Sequence, residues 1–203
     1  MFAIVESGSI TSMPRGNKAI QIGDIKYPAT IYTLWSEAER NAIGVYTIEE
    51  DKTNLKDEEW YINTNISYAY DASSNKVKGT YGTATARSIA DVLFTQADED
   101  AGRGTKDELN YRGLKYLKKE IIDGQCAQML APSDWRVVRE QETGDAMDSG
   151  WKTWRASVRT KCNSMQTQID NAANIDALAA LFTYTEQEDK SITRPLGEFP
   201  VKS

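Results

Sequence analysis

The sequence predicts an α+β protein in which a small β-rich unit precedes a helical hairpin module and an extended C-terminal tail. Short apolar runs that alternate with polar residues, separated by turn-forming residues, fill much of the first half of the 203 residues. Apolar residues that recur every three or four positions fill much of the second half. Charge divides the chain in the same way, because residues 1–100 contain 9 Lys/Arg and 15 Asp/Glu whereas residues 101–203 contain 15 of each. We therefore predict two structural units.

The first unit, 1–96, is predicted to be a small α+β domain. Ser36 and Glu39 have the spacing of a capping box, so they indicate the start of a short helix that Gly44 is placed to end. The turn-forming residues 71–75 are expected to join two strands into a hairpin. The predicted strands are 2–5, 19–23, 45–48, 60–62, 66–70 and 76–81, and the predicted loops are 7–18 and 49–59.

An acidic and then glycine-rich stretch, 97–105, is predicted to be the linker to the second unit. The second unit, 106–182, is predicted to be a helical module. Its first helix, 106–131, is expected to place four apolar residues on one face: Leu114, Leu117, Ile121 and Leu130.

Further helices are indicated by breaks and caps along the second half. Pro132 interrupts the first helix, and Ser133 is expected to cap a short one that ends near Gly144. A third helix opens at Ser149 or Gly150, and Asn174 caps a last short one, after which 183–203 has no periodicity and is predicted to be an extended tail. The third helix carries an apolar stripe at spacings of 3, 4, 4, 3 and 4: Trp151, Trp154, Val158, Cys162, Met165 and Ile169.

Composition argues against most kinds of catalytic site. The chain has no histidine, which removes Ser-His-Asp and Cys-His nucleophile systems and any His-containing metal site. Cys126 and Cys162 lack metal-binding spacing, and we interpret them as buried thiols, with a disulfide as the alternative. The carboxylate runs that begin at Glu49, Asp57 and Asp98 are interpreted as solvated. We predict no catalytic residue, no cofactor and no metal.

The net charge of −6 argues against a sequence-independent nucleic-acid binder. No run approaches the ~18 apolar residues that a membrane helix requires, and the first residues do not have the pattern of a signal peptide. We expect a protein that stays in the cell that makes it, without a nucleic-acid or membrane partner.

Seven residues of the helical half are the candidate partner-binding residues. The arginines form two pairs spaced three or four apart, so each pair shares a helix face. They are interpreted either as ion-paired with Glu140 and Glu142 and stacked on tryptophans, or as a docking surface for an acidic partner. The tryptophans are expected where helices cross. The seven residues are Trp135, Arg136, Arg139, Trp151, Trp154, Arg155 and Arg159.

The first half has its own aromatic residues, which could form either a binding surface or the core of the β unit, and we favour the core. These residues are Trp35, Trp60, Tyr61, Tyr68, Tyr70 and Tyr81.

One segment carries a recognisable pattern: Met129-Leu130, then Ser133-Asp134-Trp135 with Arg136 and Arg139, then Trp151-Lys-Thr-Trp154-Arg155 with Val158-Arg159. This pattern resembles the C-terminal module of bacteriophage tail assembly proteins, the chaperone-like proteins that accompany tail fibres. The first half resembles these proteins more loosely, in the short helix that ends at Gly44-Val45 and in the strand from Val77 to Tyr81. The long C-terminal extension departs from the shorter members of the family.

The resemblance implies a non-enzymatic bacteriophage protein that binds a tail-fibre or baseplate protein in the host cytoplasm during tail-fibre assembly. Such a chaperone would shield an apolar surface on the unassembled fibre. The alternative is a permanent structural component of the virion tail that connects fibre to baseplate or decorates the fibre. Either role leaves open a homo-oligomer or a symmetric multi-copy assembly. A small hydrolase that acts on a host surface polymer is the third hypothesis, and the missing histidine speaks against it.

Overall fold

A computed structural model describes residues 1–14 and 18–202 and confirms the α+β class. The chain divides into two compact units, Met1–Thr85 and Ala86–Ser203. Strands dominate the first unit and helices dominate the second. The boundary therefore precedes the predicted one at residue 96, and the expected linker 97–105 lies inside the second unit.

The first unit contains β1 (Phe2–Glu6), β2 (Ser9–Ser12), β3 (Ile20–Ile22), β4 (Ile25–Tyr27), α1 (Ile31–Leu34), α2 (Glu37–Ala42), β5 (Val45–Asp51), β6 (Tyr61–Ile62), β7 (Ile66–Asp71) and β8 (Lys76–Tyr81). A short strand, β9 (Thr85–Ala86), spans the boundary between the units.

Five strands of the first unit form one sheet in the order β2-β1-β5-β8-β7. The central strand β5 pairs parallel with β8, in the register Ile48↔Val77, and antiparallel with β1. The predicted hairpin is confirmed, because β7 and β8 pair antiparallel around the turn that precedes Lys76. A second, two-stranded sheet joins β3 to β4.

Both faces of the five-stranded sheet contribute to the core of the first unit. Ala3 and Val5 of β1 face one cluster, together with Ile48 and Val77, whereas Ile4 faces the other. This alternation is the two-residue period of a strand. The second cluster is completed by residues of α1 and β5: Ile31, Tyr32 and Val45.

The short helix begins and ends where the sequence predicts. The Ser36 hydroxyl accepts a hydrogen bond from the Glu39 backbone nitrogen, and the Glu39 carboxylate accepts one from the Ser36 nitrogen. Gly44 follows with a φ of 80°, and a β-carbon there would lie 2.6 Å from the Val5 carbonyl oxygen. Both the left-handed backbone and the close approach require glycine.

The predicted loop 7–18 is wrong in part, because it contains strand β2. Ser7 and Gly8 both have positive φ, 51° and 78°. Two consecutive left-handed residues give the tight hairpin turn that matches the twist of the flanking strands, so β1 turns directly back into β2. Positions 15–17 of the predicted loop lie outside the described residues.

Four of the six aromatic residues considered for the core of the β unit belong to the interior of the first unit. Trp60 is buried, and Trp35, Tyr68 and Tyr70 pack against the core clusters. The rings of Tyr46 and Tyr70 are in contact, with their centroids 4.8 Å apart and their planes tilted by 50°. The structure supports the core interpretation for these side chains.

The second unit contains β10 (Val92–Leu93), α3 (Gln96–Asp100), β11 (Leu109–Tyr111), α4 (Leu114–Leu130), a 3-10 turn (Ala131–Ser133), α5 (Asp134–Thr143), α6 (Ser149–Asn171), α7 (Ile175–Phe182), β12 (Thr185–Glu186) and β13 (Ile192–Thr193).

The expected linker is instead a folded part of the second unit. Thr95 and Asp98 form a capping box at the start of α3, and Arg103 pairs with Asp98 at 2.7 Å. The acidic residues that suggested a solvated linker therefore cap and close a short helix. The hydrogen bonds that the Asp98 carboxylate accepts, those from Thr95 having the largest effect, lower its pKa to about 2.

Helices α4 and α6 pack together and form the hairpin that the sequence predicts. The predicted first helix begins later than expected, because Leu109–Tyr111 pairs with β10. Asp91 accepts a hydrogen bond from the Gly113 nitrogen at 2.8 Å, and helix α4 begins at the next residue.

The predicted buried face of α4 is wrong. Leu117 and Ile121 are about half exposed, and the buried residues are Lys118, Ile122 and Cys126. These three residues lie four positions apart and face the rest of the unit. The predicted Leu117 and Ile121 each precede one of them by one position, so they lie on the adjacent face of the helix. The apolar stripe of α6 is confirmed from Val158 onward, because its members in that part of the helix are buried: Val158, Cys162, Met165 and Ile169.

The predicted extended tail is wrong as well. Strands β12 and β13 form a hairpin in the register Thr185↔Thr193. Leu196 is fully buried, and its backbone nitrogen donates to the Leu181 carbonyl oxygen at 3.1 Å. A single inserted leucine leaves no periodic signal, so the sequence pattern does not reveal this anchor. Ser203 lies outside the described residues.

Candidate functional site

The start of α5 and the start of α6 bring four of the seven candidate residues together. Arg136 lies between two indole rings, with its guanidinium carbon 4.6 Å from the ring centroid of Trp135 and 4.7 Å from that of Trp151. Trp151 and Trp154 meet edge to face, with centroids 5.6 Å apart and planes at 90°. We call Trp135, Arg136, Trp151 and Trp154 the Trp/Arg cluster.

Local sequence explains how the two helices present this cluster. Helix α5 ends at Gly144, which has a φ of 75°, so the chain can turn within a few residues. Asp148 then caps α6 by accepting from the backbone nitrogens of Gly150 and Trp151 at 3.0 and 3.3 Å. Trp151 is thereby fixed in the first turn of α6.

Trp135 is not a core residue, although the three tryptophans are expected where helices cross. Its side chain is 52% exposed. Val138 is also 52% exposed and lies three residues further on, and Arg139 lies four residues further on, so all three share one face of α5. We call Trp135, Val138 and Arg139 the α5 surface.

A small cavity of about 110 Å³ lies beside the α5 surface. Arg139 and Asp145 line it and form an ion pair at 2.9 Å. The hydrogen bond from Arg139, followed by that from Thr143, holds the pKa of the Asp145 carboxyl below its usual value. Both side chains of this ion pair are more than half exposed, so the pair is open to exchange with water or another charged group.

Arg155 is a structural residue and not a contact residue. It is only 4% exposed, and it donates hydrogen bonds to the Leu130 carbonyl oxygen at 2.9 Å, to the Ser133 hydroxyl and to Asp134 at 2.6 Å. The guanidinium therefore binds the polar groups released where α4 ends and α5 begins. The expected pairing with Glu140 or Glu142 is wrong for Arg155, and Glu140 pairs with Lys152 at 2.5 Å instead.

Ser133 has a different role from the one predicted. It lies at the start of α5, but its hydroxyl donates to the Leu130 carbonyl oxygen at 2.8 Å and does not cap the helix. Arg159 is exposed on α6, one turn beyond Arg155, and in the described part of the chain it forms none of the ion pairs or ring contacts that join the cluster.

The structure adds a segment that sequence reasoning missed. The carbonyl oxygen of Pro200 accepts a hydrogen bond from Trp154 Nε1 at 2.9 Å, and Lys202 Nζ lies 5.3 Å from the ring centroid of Trp151. The predicted tail therefore contacts two members of the Trp/Arg cluster. The only advance signal was the pair of prolines, which indicates extended chain but not where it lies.

The two cysteines are free and buried, as predicted. Burial is the main reason why the pKa of Cys162 rises to about 12, and the neighbouring Asp123 and Cys126 add to the rise. Cys162 lies within hydrogen-bonding distance of Asp123, at 3.4 Å between sulfur and Oδ1.

Among the described residues, no group of three or more Cys, Asp or Glu side chains is placed to hold a metal ion. No helix in the described ranges combines the length and apolar character needed to cross a membrane. Comparison with known proteins gives no match to any family model, curated protein or solved structure. The function of the chain must therefore be inferred from the exposed side chains of the second unit.

Proposed function

We propose that the chain is a protein-binding factor that engages a tail-fibre or baseplate protein of a bacteriophage and acts, without catalysis, in tail-fibre assembly in the host cytoplasm. The observation that carries this proposal is the half-exposed Trp135, held by Arg136 at the edge of the Trp/Arg cluster. The resemblance of the surrounding motif to tail assembly proteins supplies the class of partner.

The α5 surface has the composition of a contact that concentrates binding energy. Tryptophan and arginine are the residues most enriched among those that dominate protein–protein affinity. Stacking on Arg136 restricts the Trp135 ring before any partner arrives, so less side-chain entropy is lost on binding. Val138 adds apolar area beside it, and Arg139 adds a positive charge. This arrangement suits a partner with an apolar patch flanked by carboxylates.

A direct binding experiment tests the proposal. The full chain and its variants are mixed with candidate tail-fibre and baseplate proteins of a bacteriophage, and affinity is measured by calorimetry. Trp135→Ala is expected to weaken binding by roughly 30-fold, which corresponds to about 2 kcal/mol for a dominant interface residue. Because Trp135 is half exposed, the fold should be retained.

Val137→Ala is the matched control. Val137 lies two positions from Trp135, on the other side of α5, and is also exposed. It should bind as the parent does. Equal affinity of Trp135→Ala and the parent protein would contradict a role for the α5 surface, and failure of every fibre and baseplate protein to bind would contradict the proposed function.

Quantitative mass spectrometry of purified particles and infected-cell lysate then separates an assembly factor from a virion component. Abundance in the lysate without a place in the particle indicates a factor released after assembly. A fixed copy number in the particle indicates the structural alternative.

A further inference from the structure

Residues 198–202, here called the strap, are held across the start of α6. The strap is preceded by a firm anchor, because the fully buried Leu196 accepts a hydrogen bond from Lys161 Nζ at 2.7 Å through its carbonyl oxygen. Gly197 follows with a φ of 73° and redirects the chain. Beyond it the strap forms neither helix nor strand. The strap therefore lies on α6 as an extended segment that follows a buried anchor.

Two aromatic side chains of α6 receive the strap. Trp154 Nε1 donates to the Pro200 carbonyl oxygen at 2.9 Å, and the Lys202 ammonium lies 5.3 Å from the ring centroid of Trp151. A groove of about 470 Å³ runs beside these contacts, lined on one side by α6 and on the other by residues 200–202. Val201, between the two contact points, is 89% exposed. On α6 the strap is held by one carbonyl and one cation, and the Val201 side chain between them stays in water. At its other end, Glu198 pairs with Arg194 at 2.8 Å and accepts a hydrogen bond from the Tyr184 hydroxyl at 2.9 Å.

These two contacts require little of the segment that makes them. A main-chain carbonyl is present in every peptide, and an indole N–H can satisfy any of them. Proline restricts the preceding chain to an extended form and so lowers the entropy lost on docking in an aromatic groove. A Lys or Arg two residues after the proline supplies the cation for the second ring. Another chain with the same short pattern could replace the strap.

The groove also adjoins the α5 surface. Trp151 contacts Lys202 of the strap and Arg136 of the Trp/Arg cluster, which in turn stacks on Trp135. A segment that took the place of the strap would therefore lie next to the residues that we propose to bind the partner.

The geometry points to an exchange site: the strap holds, within its own chain, the position beside Trp151 and Trp154 that an extended segment of the partner can take, a segment containing proline followed two residues later by Lys or Arg. This inference rests on the proposed function only for which protein carries that segment. The strap keeps the two indoles covered until the partner arrives, and the partner segment then makes the same carbonyl and cation contacts.

The tether makes the strap a strong competitor in solution. A segment joined by a short flexible linker has an effective concentration in the millimolar range. A free peptide must therefore overcome this concentration, unless the strap is weakened. Replacing Lys202 with Glu removes the cation–π contact and places a negative charge near the ring face, which disfavours the docked strap.

The test uses nuclear magnetic resonance of the five tryptophan indole N–H groups in the full chain. Trp154→Phe keeps an aromatic ring, removes one signal and so identifies the Trp154 resonance. The probe is a blocked peptide with the sequence of residues 196–202, Leu-Gly-Glu-Phe-Pro-Val-Lys. A control peptide carries Ala for the proline and Glu for the lysine.

In Lys202→Glu, the Trp154 indole signal is expected to move away from its parent position as the strap is released. Added peptide should return it, and should bind roughly two- to fivefold more tightly than it binds the parent chain, the factor expected for loss of an exposed cation–π contact. The control peptide should leave the signal where it is. Lys190→Glu makes the same charge change on the β12–β13 turn, outside the residues that line the groove, and should behave as the parent does.

An unmoved Trp154 signal in Lys202→Glu, equal peptide affinity for the parent and the variant, or equal action of the control peptide would each overturn the exchange site. If the other indole signals also shift, Lys202→Gln repeats the test without the added negative charge. Peptide exchange in a chain that binds no fibre or baseplate protein would leave the groove standing and remove only the proposed partner. Binding to a fibre or baseplate protein without peptide exchange would leave the proposed function standing and remove the exchange site.

Discussion

Replacing Arg155 with Met is expected to lower the free energy of unfolding of the second unit by about 2–4 kcal/mol. The Leu130 carbonyl and the Ser133 hydroxyl would each lose a charged donor but would keep the hydrogen bond between them, and a hydrogen bond to a charged group contributes about 1.5–3 kcal/mol. The ion pair with Asp134 adds less, because the Asp134 side chain is 58% exposed and returns to water. Methionine fills similar space, so the loss is mainly one of hydrogen bonds.

The measurement is urea unfolding combined with hydrogen exchange followed by mass spectrometry. Hydrogen exchange is needed because the two units each contain tryptophans, so total fluorescence mixes their transitions. Peptides from α5 and α6 should lose protection in Arg155→Met, while peptides from β1 and β5 should not change. The reverse order of protection would show that the guanidinium does not hold the α4–α5 junction.

Arg159→Met is the matched control, one turn further along α6 and exposed. It should change stability by no more than about 0.5 kcal/mol, as is usual for surface positions. The stability of Arg155→Lys should lie closer to that of Arg155→Met than to that of the parent protein, because an ammonium group cannot reach all three acceptors of the guanidinium. A stability of Arg155→Met within about 0.5 kcal/mol of the parent would refute the reasoning, since it would mean that water satisfies these acceptors equally well.

Three further predictions concern single positions. Gly44→Ala should destabilise the first unit by more than about 1 kcal/mol in urea unfolding, because its left-handed φ and the nearby Val5 oxygen exclude a β-carbon. Gly124→Ala should instead stabilise the second unit by about 1 kcal/mol, since it lies within α4 with open space around its β-position; destabilisation would show an unrecognised contact. The Cys162 thiol should resist alkylation at pH 8 until the chain unfolds, and rapid labelling of the native protein would contradict its burial. Because its folded pKa is raised to about 12 from an ordinary 9.0, its contribution to stability is complete below pH 9 and falls as pH rises towards 12, which urea midpoints across that range would show.

Local signals in the sequence predicted much of the fold correctly. The Ser36–Glu39 capping box, the 66–81 hairpin and the Asn174 cap all depend on residues within a few positions of one another. Such interactions can be recognised in a single sequence, because they depend on the types of residues that lie a few positions apart. The stripe of α6 was equally readable, because one face of a 23-residue helix is buried over several turns.

The wrong predictions have a common physical cause. Which side chains of a helix are buried depends on the part of the protein that packs against the helix, and not on the sequence of the helix alone. Helix α4 has apolar residues on two adjacent faces, and only packing chooses Ile122 over Ile121. Trp135 is expected where helices cross, although its neighbours leave half of its side chain in water. The strap was missed because its contacts join residues 46 positions apart.

The candidate site was therefore only partly predictable. The pattern located the Trp/Arg cluster at the starts of α5 and α6, where four of the seven residues do meet, three of them through Arg136. It could not distinguish Arg136, which stacks on indoles, from Arg155, which is buried against carbonyl and hydroxyl oxygens. Both are arginines beside tryptophans in the sequence, and only their depth in the fold separates them.

Because β5 pairs parallel with β8, the central strand of the sheet is synthesised well before one of its two partner strands. Strand β5 ends at Asp51, but its partner on that side begins only at Lys76, about 25 residues later. At a translation rate of roughly 5–20 residues per second, one edge of the central strand stays open for about 1–5 s on the ribosome. An open edge of this kind invites pairing with another nascent chain. The acidic residues Glu49, Glu50 and Asp51 occupy the last part of that edge, so crowded copies of this strand would repel one another until β8 arrives.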